Sequence, residues 1–97
     1  MSINVSLDLS VKPERLNEFI GILKEALPDT RKRKGFQSLS VHQDQERQGR
    51  IVVWERWDSR PDYESYLNWR METGFMEALG PFMQSDPVFS YFDDVEA

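Results

Sequence analysis

The chain has 97 residues, 39% of them apolar and twelve of them aromatic, enough for one small hydrophobic core and too few for two. It contains no cysteine, which excludes a disulfide framework, thiolate metal ligation and thiol nucleophiles. A formal net charge of −5 disfavours nucleic acid and anionic membrane as partners, because both are bound through basic patches.

The N-terminal stretch Met-Ser-Ile-Asn-Val carries no basic segment ahead of a long apolar run. No stretch approaches the ~18 apolar residues of a membrane span. The expectation is a soluble, unprocessed, cytoplasmic protein forming one domain over residues 1–97.

Ile3, Val5, Leu7, Leu9 and Val11 alternate with Asn4, Ser6, Asp8 and Ser10, the period of a half-buried strand. Pro13 and Glu14 then suit the start of a helix whose apolar stripe is Leu16, Phe19, Ile20, Leu23 and Leu27, ending or bending near Pro28. The run Arg31-Lys32-Arg33-Lys34 reads either as an anion contact or, more simply, as a solvated cap on the negative end of that helix.

After Gly35, Phe36 to His42 places Leu39 and Val41 on one face and predicts a second strand. The wholly polar Asp44 to Gly49 is a hairpin loop. Arg50 to Trp57, rich in β-branched and aromatic residues, is the third strand. Ser59 caps a second helix with Pro61 early in it and Asp62 three residues after the cap. Tyr63, Tyr66 and Leu67 form its inward stripe. A break at Thr73-Gly74 precedes a short helical stretch through Phe75, Met76, Leu79, Phe82 and Met83, and Val88 to Phe92 is the last strand.

The order β-α-β-β-α-β predicts a ferredoxin-like α+β fold, with helices on one face of a four-stranded antiparallel sheet. Parity sends Trp54 and Trp57 to opposite faces, and likewise separates Phe92 from Phe89 and Tyr91. Large aromatics on a face that the helices do not cover mark an interface, so a homodimer through the open sheet face is expected.

Few residues are suited to chemistry. His42 is the one histidine, readable as a general base or as a plain strand residue beside the loop. Its isolation makes a zinc site improbable. Five scattered glycines provide no phosphate loop. Glu55 shares its face with Ile51, Val53 and Trp57, where an ionised carboxylate needs a partner. It reads as a base of raised pKa or as half of an ion pair with an arginine such as Arg56 of another chain. Trp57, Tyr63, Tyr66 and Trp69 either wall a pocket for a small aromatic ligand or fill the core and interface.

The first strand running into Val11-Lys12-Pro13, the amphipathic helix, Gly35-Phe36 opening strand two and above all Glu55-Arg56-Trp57-Asp58-Ser59 resemble the antibiotic biosynthesis monooxygenase domain of the dimeric α+β barrel superfamily. The resemblance covers nearly the whole chain. It implies a dimer with sheets packed face to face and a ligand cavity between sheet and helices. It also implies oxidation of a small phenolic or quinol-like compound by molecular oxygen, with no metal, flavin or haem as cofactor. Trp57 and Tyr63 match positions of the polyketide-oxidising members, whose asparagine four residues before the tryptophan is replaced here by Val53. The haem-degrading pattern is matched poorly: Asn4 is only roughly placed, Tyr66 stands where a tryptophan would be, and no helix holds a histidine.

Overall fold

The alternation from Ile3 onward builds the strand that organises the rest. In the computed structural model, which describes residues 2–96, β1 (Ile3–Ser10), β2 (Phe36–Gln43), β3 (Arg50–Trp57) and β4 (Val88–Phe92) form one sheet in the order β2-β3-β1-β4. All three pairings are antiparallel. Helical segments link β1 to β2 and β3 to β4, which gives the ferredoxin-like α+β arrangement that the element order predicts.

Pro13–Arg15 is a single 3-10 turn, and α1 (Leu16–Arg31) begins after it, burying Leu16, Phe19 and Leu23. Of the two outcomes expected at Pro28, an end or a bend, the end does not occur: α1 runs on to Arg31. The N–H that proline lacks would have bonded the carbonyl of Lys24. Both residues are exposed, so water can serve that carbonyl and the helix continues. The turn beyond Pro28 is anchored by Thr30, which is buried. In the basic run that follows, Arg31, Lys32 and Lys34 are exposed, while the Arg33 guanidinium lies 4.5 Å over the Trp69 ring.

The cap predicted at Ser59 is present: its Oγ accepts from the Asp62 N–H at 3.3 Å at the start of α2 (Arg60–Glu72). Gly74, at φ 79°, turns the chain into α3 (Phe75–Leu79), a left-handed conformation that glycine adopts without steric penalty. A further 3-10 turn, Gly80–Phe82, buries Phe82.

The core divides in two. One cluster gathers Leu9, Val11, Leu16, Phe19, Leu23, Ile51, Val53, Leu79 and Phe82; the other gathers Val5, Trp57 and Tyr63. Along β3 the dividing residue is Glu55, set between Val53 of the first cluster and Trp57 of the second, with Val5 opposite it on β1 and Leu39 opposite it on β2.

On the other sheet face, Trp54 and Phe92 are 42% and 44% exposed and stack with ring centroids 5.5 Å apart. Ion pairs flank them, Arg50 with Asp8 and Arg56 with Asp94, each at 2.8 Å. Among the described residues no helix is long and apolar enough to cross a membrane.

Candidate active site

Where the two core clusters part, a cavity of about 420 Å³ opens under the helices. Leu7, Leu9 and Val53 line it from the sheet, Leu23 and Leu27 from α1, and Tyr63, Tyr66 and Arg70 from α2. Phe75 and Leu79 of α3 complete the apolar wall, and the lining continues to Gln84, Ser85 and Asp86, all exposed. The cavity therefore meets solvent at the segment between α3 and β4. Its size and apolar lining suit a small ring system.

Glu55 lines this cavity and is only 4% exposed. Its Oε1 accepts from the Trp57 indole Nε1 at 3.2 Å. Among the described residues no arginine of the same chain pairs with it; Arg56 lies on the opposite face and binds Asp94. Burial pushes the carboxyl up to about 7, with the indole hydrogen bond pulling the other way. An acid poised there can hold or release a proton under neutral conditions.

Tyr63 is fully buried and also faces the cavity. Among the described residues its hydroxyl is the buried side-chain polar atom without a hydrogen-bond partner. Burial, and then the negative charge of Glu55, raise its pKa, so it stays protonated and remains a donor.

A different network holds the α1 side. Arg70 is 5% exposed; its Nε donates to the Tyr66 hydroxyl at 3.1 Å, and its Nη2 donates to Ala26 O at 2.9 Å and Thr30 Oγ1 at 3.0 Å. Thr30 and Tyr66 share a hydrogen bond of 2.9 Å. This clasp ties α2 to the last turns of α1 and satisfies a buried guanidinium through neutral oxygens and the rings of Phe75 and Trp69.

Of the four aromatics singled out in the sequence, Tyr63 and Tyr66 line the cavity. Trp57 is fully buried behind them, edge-on to Phe36 and Tyr63, and it reaches the site through Glu55. Trp69 is half-buried beneath Arg33 and Arg70 and stands outside the lining. His42 is exposed on the open face and bonds Ser40 Oγ at 2.8 Å. Asn4 faces the same way, held by Asp94 and Arg56. Neither reaches the cavity. Arg70 and Thr30 escaped the sequence reading, although Arg70 follows Tyr63 and Tyr66 at seven and four residues and so shares their stripe.

The family model for antibiotic biosynthesis monooxygenases matches residues 2–77. The chain belongs to the antibiotic biosynthesis monooxygenase family. Among curated proteins none matches it. Solved structures do. Rv0793 from Mycobacterium tuberculosis superposes with a TM-score of 0.86 at 14% identity, covering 100% of this chain and 98% of that one. A conserved protein from Methanosarcina mazei Go1 gives 0.85 at 20% identity, covering 95% and 91%. A structure described as an antibiotic biosynthesis monooxygenase gives 0.85 at 19% identity, covering 97% and 99%. At these identities the likeness establishes the fold, and the site must be argued from its own residues. Among the described residues of this family member, no three of His, Cys, Asp and Glu come together as a metal site.

Proposed function

We propose that the protein is a monooxygenase that oxidises a small phenolic or quinol-like compound with molecular oxygen and without a cofactor. The observation that carries this reading is the cavity itself, apolar over most of its wall, with the Tyr63 hydroxyl and the Glu55 carboxyl buried within it. Such a site can hold an aromatic ring, exclude water from it and favour loss of a proton. The resulting electron-rich anion is the species able to pass electrons to oxygen. The protein's part is orientation, desolvation and control of the proton.

The reading extends to the whole chain acting as one domain in the cytoplasm, paired with a second copy across the open sheet face. Support for the pairing comes from Trp54 and Phe92, stacked and exposed there. Val53, at the position where the polyketide-oxidising members carry asparagine, favours a second reading, a homodimer that binds a small aromatic ligand without turnover.

Oxygen uptake by metal-stripped protein over a panel of quinols and anthrones separates the two. The monooxygenase reading expects uptake well above each compound's autoxidation rate. Binding without such uptake leaves the ligand-binding reading in its place.

A further inference from the structure

We propose that Arg70 is an anion-binding residue of the cavity, and that the ligand it selects is an aromatic carboxylic acid, held with its ring on the apolar wall and its carboxylate on the guanidinium. The proposal rests on the reading of the cavity as the ligand site. It adds the charged group that the ligand must carry.

Arg70 is 5% exposed and forms part of the cavity wall. Its Nε and Nη2 donate to Tyr66, Ala26 and Thr30, which supply hydrogen bonds but no negative charge. Nη1 has no hydrogen-bond partner among the described residues. Nor is it sealed in, because the fully enclosed side-chain polar atom without a partner is the Tyr63 hydroxyl. One donor of a buried cation therefore stands open to an acceptor.

The charge is uncompensated as well. Among the described residues no carboxylate forms a salt bridge with Arg70. A second guanidinium, that of Arg33, shares the Trp69 ring with it, at 4.5 Å against 4.6 Å for Arg70, and it also lacks a carboxylate partner among these residues. The chain has 17 acidic residues to 12 basic ones, yet none is brought to this pair of like charges. A buried charge without an opposite charge is costly, and a ligand carboxylate offsets that cost.

The acidic side chains of the cavity lining are Glu55 and Asp86. Burial raises Glu55 to about 7, so under mildly acidic conditions it holds its proton and adds no negative charge. Asp86 is exposed at the mouth. The guanidinium is thus the fixed charge of a mostly apolar wall, which favours an anion attached to a ring. A carboxylate fits better than a phosphate, because a dianion with three oxygens needs more donors than the one that Arg70 leaves open.

Binding of 6-hydroxy-2-naphthoate, its methyl ester and its primary amide, read by titration calorimetry below pH 7, tests the assignment. The three share one ring system and differ in charge. The acid should bind at least roughly 10-fold more tightly than either neutral analogue. Arg70→Met and Arg70→Gln should bring that ratio to about one while ester affinity changes by less than roughly 3-fold. Thr30→Val loosens the same clasp and keeps the cation, so it should retain the preference for the acid. A purely structural arginine would instead weaken acid and ester alike.

Circular dichroism checks that each variant is folded, and should neither neutral variant fold, the wild-type ratio decides alone. The proposal is overturned if the ester or amide binds as tightly as the acid, or if the preference survives in a folded Arg70→Met or Arg70→Gln. Either result leaves the cavity as a ligand site. Failure of all three compounds to bind overturns the proposal together with the reading of the cavity on which it rests. Because no oxygen is consumed in the titration, its outcome is separate from that of the oxygen-uptake test.

Discussion

The indole Nε1 of Trp57 donates to Glu55 Oε1 at 3.2 Å, two residues away on the same face of β3. This bond opposes the burial that raises the Glu55 carboxyl, because it favours the charged form. Trp57→Phe removes the donor and keeps most of the ring packing. Glu55 should then titrate above its present value of about 7, and the fold should lose roughly 1–3 kcal/mol through the missing indole volume. Carboxyl carbon NMR reads the first effect and urea denaturation the second.

Glu55 also makes stability depend on pH with an unusual sign. Its native value of about 7 exceeds the ordinary 4.5, so between those values the folded state keeps a proton that the unfolded chain has released. Stability should fall as pH rises through that window and stay lower above it, by roughly 3 kcal/mol in all.

Three carboxylates, Asp8 and Asp44 half-buried and Asp94 exposed, act in the opposite direction and at lower pH. Arg50 holds Asp8 low; backbone N–H groups of Arg47 and Glu46, then Arg50, hold Asp44 low; and Arg56 and Asn4 hold Asp94 at about 2. Their contribution is present above 3.8 and lost as pH falls through their native values. The urea midpoint should therefore be higher near pH ~5 than near pH ~8, and Glu55→Gln should flatten that difference.

Tyr63 and Tyr66 should respond oppositely to loss of their hydroxyls. The Tyr63 hydroxyl is buried with no partner among the described residues, so Tyr63→Phe should leave stability unchanged or raise it by up to about 1 kcal/mol. The Tyr66 hydroxyl bonds Thr30 and Arg70, so Tyr66→Phe should cost about 1–2 kcal/mol. Denaturation of the two variants side by side checks the contrast, with the wild type as reference.

Much of this arrangement is legible in the sequence because it depends on period and parity. The alternation from Ile3 to Val11 fixes which side of β1 is buried, Ser59 marks the start of α2, and the odd spacing of Trp54 and Trp57 separates an exposed ring from a buried one. The site is less legible because it depends on distance across elements. Periodicity groups Trp57, Tyr63, Tyr66 and Trp69, but only packing shows that Trp57 lies behind the cavity wall and Trp69 beside it. Parity finds Glu55 buried, yet whether an arginine reaches it is a tertiary question. Pro28 does not end α1 because the penalty it imposes falls on an exposed carbonyl.

Arg70 ties α2, one wall of the cavity, to α1 through Ala26 and Thr30. Arg70→Met retains the apolar stem while leaving Thr30, Tyr66 and the Ala26 carbonyl with fewer partners. The expected cost is about 3 kcal/mol, with faster amide exchange in the last turns of α1 preceding global unfolding. Arg70→Lys should recover only part of the loss, since an ammonium cannot reproduce the planar fork that reaches Tyr66, Ala26 and Thr30 together.

The open sheet face offers the most direct test of pairing. Trp54 and Phe92 stack there at 5.5 Å between the Arg50–Asp8 and Arg56–Asp94 ion pairs, an aromatic centre with a charged rim of the kind that dominates association energies. Trp54→Asp puts a charge at that centre without touching the cavity, because Trp54 points away from it. The monomer fold should keep its far-ultraviolet spectrum and its stability within about 1 kcal/mol, while self-association weakens by at least roughly 100-fold. Sedimentation at micromolar concentration reads the outcome: a wild-type dimer and a monomeric Trp54→Asp place the second copy on this face, whereas a dimer that survives the substitution places it elsewhere.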